Sequence, residues 1–192
     1  MLRLALIALL LSPLPVLAQE VEEMDPEMSE GYPPKMGDLT GTLGGVPVAW
    51  ETFDFSIGAF DASAWAGTDY ESGIVSAHLM AYAPGEPDTM AGRIMAVADF
   101  GRALKTGKGR NITVAILQGD HIDGPRLSSE GQKALFVIDS IGPAVENSYS
   151  RRVTGHIETS LCPIDWEGQV CQDLVLSFDT DMQMESTLKV RE

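Results

Sequence analysis

Cys162 and Cys171, the only two cysteines of the chain, stand at the facing ends of two alternating segments. No other feature constrains the fold as tightly. In residues 151–161, Val153, Gly155, Ile157 and Leu161 share one side, and Arg152, Thr154, His156, Glu158 and Ser160 share the other. Further on, Leu174, Leu176 and Phe178 share a side opposite Asp173, Ser177 and Asp179. A period of two is that of a half-buried β-strand. Setting Cys162 against Cys171 in antiparallel register places Ile157 opposite Leu176, Gly155 opposite Phe178 and Arg152 opposite Asp181. Apolar residues then meet apolar ones, and a cation meets an anion. A slip of one residue would turn each side chain to the wrong face. Opposed residues of such a pair lie at about the Cα separation a disulfide needs, roughly 4.4–6.8 Å. The pattern therefore predicts a C-terminal hairpin bridged by a structural Cys162–Cys171 bond. Redox pairs instead favour Cys-x-x-Cys at a helix start.

A disulfide belongs to an oxidising compartment, and the N-terminus carries a matching address. Arg3 precedes the apolar run Leu4–Leu11, and Val16-Leu17-Ala18 supplies small or apolar residues at a cleavage point. Residues 1–18 read as a secretory signal peptide, with a run too short to span a bilayer. Residues 19–38 hold seven acidic residues, one lysine and three prolines. They are expected to form a disordered acidic linker. Residues 39–192 are expected to form one domain. The chain has 13 basic and 28 acidic residues, a net charge of −15, which disfavours binding to nucleic acid. The Lys-poor, Ala- and Gly-rich composition and the short signal suggest a bacterial periplasmic or secreted protein, with no membrane span after cleavage.

Within the domain, short apolar stretches alternate with Gly, Pro, Asp and Asn clusters. Strands are expected near 39–43, 46–55, 72–82, 92–100, 111–118, 133–141, 149–162 and 170–182. Gly44-Gly45 marks a tight hairpin turn, and residues 106–109 a second turn. The stretch 88–105 also fits a helical stripe through Met90, Ile94, Val97, Ala98 and Leu104, so strand and helix both stand there. The whole pattern suits an all-β fold, an immunoglobulin-like or related antiparallel β-sandwich of about eight strands.

The sequence carries little catalytic signal. It has no Gly-x-Ser-x-Gly elbow, phosphate loop or His-Glu-x-x-His. No cofactor is implied. His78, His121 and His156 lack a His or Cys at zinc-ligand spacing; His78 and His156 fall on the polar sides of their strands. Met182 and Met184, at i and i+2, would share a strand face, and two thioethers are soft ligands suited to Cu(I); methionine is also a core filler and no His stands beside the pair, so no metal site is expected. Arg102, Lys105, Lys108 and Arg110 crowd one Gly-containing stretch and form a candidate loop for docking an acidic partner. The favoured reading is an exported, non-catalytic module that binds a protein, an envelope component or a small ligand. A copper-binding periplasmic protein and a carboxylate-dependent hydrolase are the alternatives.

Overall fold

Gly44 and Gly45 take φ of 58° and 81°, the left-handed pair that a two-residue hairpin turn requires, and they join the first two strands with Leu43 facing Val46. In the computed structural model of the chain, residues 33–55, 62–121, 124–144, 148–164 and 170–191 are described. The expected signal peptide and most of the expected linker lie outside these residues. The described residues contain thirteen strands and no helix. In chain order they are β1 (Lys35–Leu43), β2 (Val46–Phe53), β3 (Ala64–Thr68), β4 (Val75–Ala81), β5 (Ile94–Gly101), β6 (Leu104–Lys105), β7 (Gly107–Lys108), β8 (Arg110–Leu117), β9 (Arg126–Ser128), β10 (Ala134–Ile141), β11 (Ser150–Ile164), β12 (Gln172–Met184) and β13 (Val190–Arg191).

All eight expected strands are present, and β3, β6, β7, β9 and β13 add to them. The ambiguous stretch resolves into turns followed by β5. Its alternation of buried Ile94, Ala96, Ala98 and Phe100 with Met95, Val97 and Asp99 is strict, and a period of two excludes the helical stripe. One boundary shifts. β1 begins at Lys35, inside the segment expected to be linker, because Met36 is buried and Gly37 packs on β12. A Cβ on Gly37 would stand 2.3 Å from the Asp179 carbonyl oxygen, so only glycine admits this contact.

The strands of the large sheet run in the order β2-β1-β12-β3-β4-β5-β8-β9-β11-β10-β7, and β11 also pairs with β12. The path from β12 through β3, β4, β5, β8, β9 and β11 therefore returns to β12. Pairing is antiparallel except where β3 lies parallel to β12 and β13 parallel to β6. Each of the two long strands changes neighbours along its length. β12 pairs with β1 through Leu174–Thr180 and with β3 at Gln183 and Met184. β11 pairs with β10 through Val153–Thr159 and with β9 through Cys162–Ile164. The inward side chains form one core, in which Phe100, Phe136 and Phe178 make successive ring contacts at 5.9 Å and 5.4 Å.

The β11–β12 register is the one derived from the two cysteines. Ile157 faces Leu176, Gly155 faces Phe178 and Arg152 faces Asp181. Cys162 and Cys171 are bridged, with Cα atoms 4.1 Å apart. Arg152 makes its closer ion pair with Asp179 at 2.6 Å, reaches Asp181 at 3.6 Å, and donates to the Met36 carbonyl at 2.8 Å. Gly155 has a steric reason to be glycine: a Cβ there would sit 2.3 Å from Phe178 Cζ and 2.1 Å from the Val137 carbonyl oxygen.

Two stability outcomes follow. Replacing both cysteines by serine should lower the unfolding free energy by about 2–4 kcal/mol in urea titrations, the effect of reopening a short loop in the unfolded chain. Gly155→Ala should cost about 1–3 kcal/mol by the same measurement, because the extra carbon clashes with the Val137 carbonyl and displaces the Phe178 ring. Wild-type stability in either variant would contradict the corresponding account.

Candidate functional site

The turn joining β3 to β4 is built by Asp69. Its Oδ1 accepts from both the backbone N–H and the hydroxyl of Ser72, each at 2.7 Å, and Gly73 supplies the left-handed φ of 67° that lets the chain reverse. These bonds from Ser72 hold the Asp69 carboxyl below the usual carboxylate range. The turn projects Tyr70 into solvent at 86% exposure. In β3 itself Ala64 and Ala66 face inward, which sends Trp65 outward at 42% exposure. Trp50, by contrast, is buried and donates its indole N–H to the Gly92 carbonyl at 2.7 Å.

Trp65 stands directly opposite His78 of β4, and the two rings stack with centroids 3.7 Å apart and planes within 6°. The stack covers one face of the half-buried imidazole. That burial pushes the His78 pKa below its ordinary value, against a smaller upward pull from Asp99. Asp99 faces Ser76 across β4 and β5 and accepts from the Ser76 hydroxyl at 2.7 Å and from Asn111 Nδ2 at 2.8 Å. Asn111 has φ of 48° at a register shift between β5 and β8, an asparagine in the left-handed region at a bulge.

Beyond Met184 the backbone N–H of Glu185 bonds to the Ala66 carbonyl at 3.0 Å, extending the β12–β3 contact by one residue. This places Glu185 beside the turn. Its carboxylate accepts from the Tyr70 hydroxyl and, at 2.7 Å, from the Thr68 backbone N–H. The two bonds, Tyr70 first, hold Glu185 below the usual carboxylate range, and the same contact raises the Tyr70 hydroxyl. Trp65, Gly67, Tyr70, His78, Gln183 and Glu185 thus line a cleft of about 680 Å³.

The residues singled out from sequence lie elsewhere. Met182 and Met184 do share a face, but it is the inward one: they are 0% and 6% exposed and belong to the core. β12 turns its even-numbered side chains inward along its length, so both methionines serve as core fillers. The disulfide closes the far end of the β11–β12 hairpin. Arg102, Lys105, Lys108 and Arg110 are all exposed, as a docking loop requires. The fold adds two cations to them. β13 lies against β6 with Arg191 opposite Lys105, and Leu104 N–H bonds to the Lys189 carbonyl at 2.8 Å. Among the described residues none of these six cations forms an ion pair.

Of the cleft residues only His78 drew notice in the sequence, as a polar-side strand residue. Trp65 had a readable signal: an aromatic residue between two alanines in Ala64-Trp65-Ala66, where the alanines take the inward positions. Glu185 had none, because its role depends on the β12–β3 contact.

No known protein family, curated protein or solved structure matches the chain.

The stack makes a measurable statement about protonation. The folded His78 pKa is lowered, so its neutral form favours the folded state. Stability from this group is present above the ordinary imidazole pKa of about 6.5 and declines as pH falls through the lower folded value. In NMR titration His78 should give a midpoint below about 6.5, and Trp65→Ala, which uncovers the ring, should move that midpoint upward. A midpoint unchanged by the substitution would show that the stack is not what desolvates the imidazole.

Proposed function

We propose that the protein is an exported, non-catalytic β-sandwich module of the bacterial periplasm or exterior, and that it binds a small ligand in the cleft beside Trp65. The sandwich reading takes β2-β1-β12-β11-β10-β7 as one layer and β3-β4-β5-β8-β9 as the other. The inward faces of both groups feed the same core. The disulfide fits an oxidising compartment.

The observation that carries the binding reading is the cleft. A volume of about 680 Å³ falls within the range of small-molecule sites. Two large aromatic side chains, Trp65 and Tyr70, stand exposed on its walls and offer apolar surface to a ligand. The carboxylates suit binding better than hydrolysis. A hydrolytic acid needs a carboxyl kept protonated near neutral pH, whereas Asp69 and Glu185 are both held ionised.

A small-molecule fragment screen followed by amide chemical shifts tests the reading. Binders should perturb residues 65–70, 76–78 and 183–186, and Trp65→Ala should weaken them by at least about tenfold, or about 1.4 kcal/mol, in a variant whose amide spectrum still shows a folded protein. Fragments that cluster at another surface, or that ignore the substitution, would refute it.

A further inference from the structure

We propose that the cleft receives a small organic cation, an alkylated ammonium group held against the Trp65 and Tyr70 rings and the Glu185 carboxylate. This inference rests on the ligand-cleft reading above and assigns its ligand class.

The charge of the lining is the first argument. Asp69 and Glu185 are present, and no Lys or Arg is among the described lining residues. Burial lowers the pKa of His78, the other basic group of the described lining, which favours its neutral form. The chain as a whole carries −15, so its long-range field also draws cations and repels anions.

Geometry is the second. A Cβ built on Gly67 would lie 2.7 Å from Trp65 Cζ3 and 3.6 Å from Glu185 Oε2, so the indole and the carboxylate border one glycine. The Tyr70 hydroxyl is bonded to the same carboxylate, which brings the second ring to it. Two aromatic groups beside a fixed anion make the combination that attracts alkylammonium ions, by the ring quadrupole and by charge.

The third argument is the state of two lining hydroxyls: that of Tyr70 is committed to Glu185 and that of Ser76 to Asp99, so neither is open to a sugar or an anion. A cation with methyl groups needs neither. It needs π faces and negative charge, which the cleft supplies.

The test is calorimetry on the mature full chain with three probes: choline, its neutral isostere with carbon in place of nitrogen, and methyl glucoside. Choline should bind at millimolar concentrations or below and at least about tenfold tighter than the isostere, a ratio of about 1.4 kcal/mol. Trp65→Ala and Glu185→Gln should each reduce choline affinity by a similar factor, with thermal unfolding confirming that both variants fold. Added salt should weaken choline binding and leave the isostere unaffected. Equal binding of choline and isostere at the cleft would overturn the cation assignment and keep the cleft as an apolar ligand site. Binding of methyl glucoside without choline would overturn it in favour of a sugar. Failure of choline to bind at all would also overturn it, while the fragment screen reports separately on whether the cleft is a ligand site.

Discussion

The antiparallel ladder between β11 and β12, running from Ser150–Gln183 to Leu161–Gln172, is the constraint on which the rest of the structure depends. Both strands are long, 15 and 13 residues, and each outlasts its first neighbour. β12 therefore serves β1 along most of its length and β3 at its end, while β11 serves β10 and then β9. Through these two strands the two groups of shorter strands share one core. A one-residue slip of β12 against β11 would turn Leu174 and Leu176 outward and bring Asp173 and Asp179 to the inward face. The cost of burying unpaired carboxylates makes that alternative inaccessible.

Packing reinforces the ladder at points where no side chain fits. Gly155 leaves room for the Phe178 ring, and Gly37 lets β1 approach β12 closely. Phe178 then reaches Phe136, and Phe136 reaches Phe100, so a glycine on β11 supports contact between β12, β10 and β5. The disulfide closes this hairpin from outside the core. The exposed ion pairs of Arg152 add little by themselves, since solvent screens them. Arg152 also bonds the Met36 carbonyl, which ties the start of β1 to the same hairpin.

The cleft inherits its position from the same ladder. Because β12 continues past β1 to run beside β3, Glu185 arrives next to Thr68 and the β3–β4 turn. The inward alanines of β3 turn Trp65 outward, and the His78 imidazole opposite gives it a stacking partner. The surface thus holds a rigid aromatic pair beside a carboxylate anchored by two hydrogen bonds, all on strand ends or a tight turn. Such supports hold a binding group in place more firmly than a long loop would.

The sequence by itself determined the β11–β12 register, the disulfide, the hairpin turn at Gly44-Gly45 and the positions of eight strands. In each case the information is local: alternation with a period of two, a glycine pair with left-handed φ, or two matched segments close in the chain. β3 escaped notice because Ala64-Trp65-Ala66-Gly67-Thr68 is short and rich in small residues with little strand preference. It is a strand because β4 and β12 pair with it. The approach of Lys189 and Arg191 to the basic loop was likewise decided by distant partners. So was the cleft. Trp65, Tyr70, His78 and Glu185 are brought together by the β3–β4 turn and by β12 arriving at β3 from more than a hundred residues away in the chain, a separation at which no spacing rule operates.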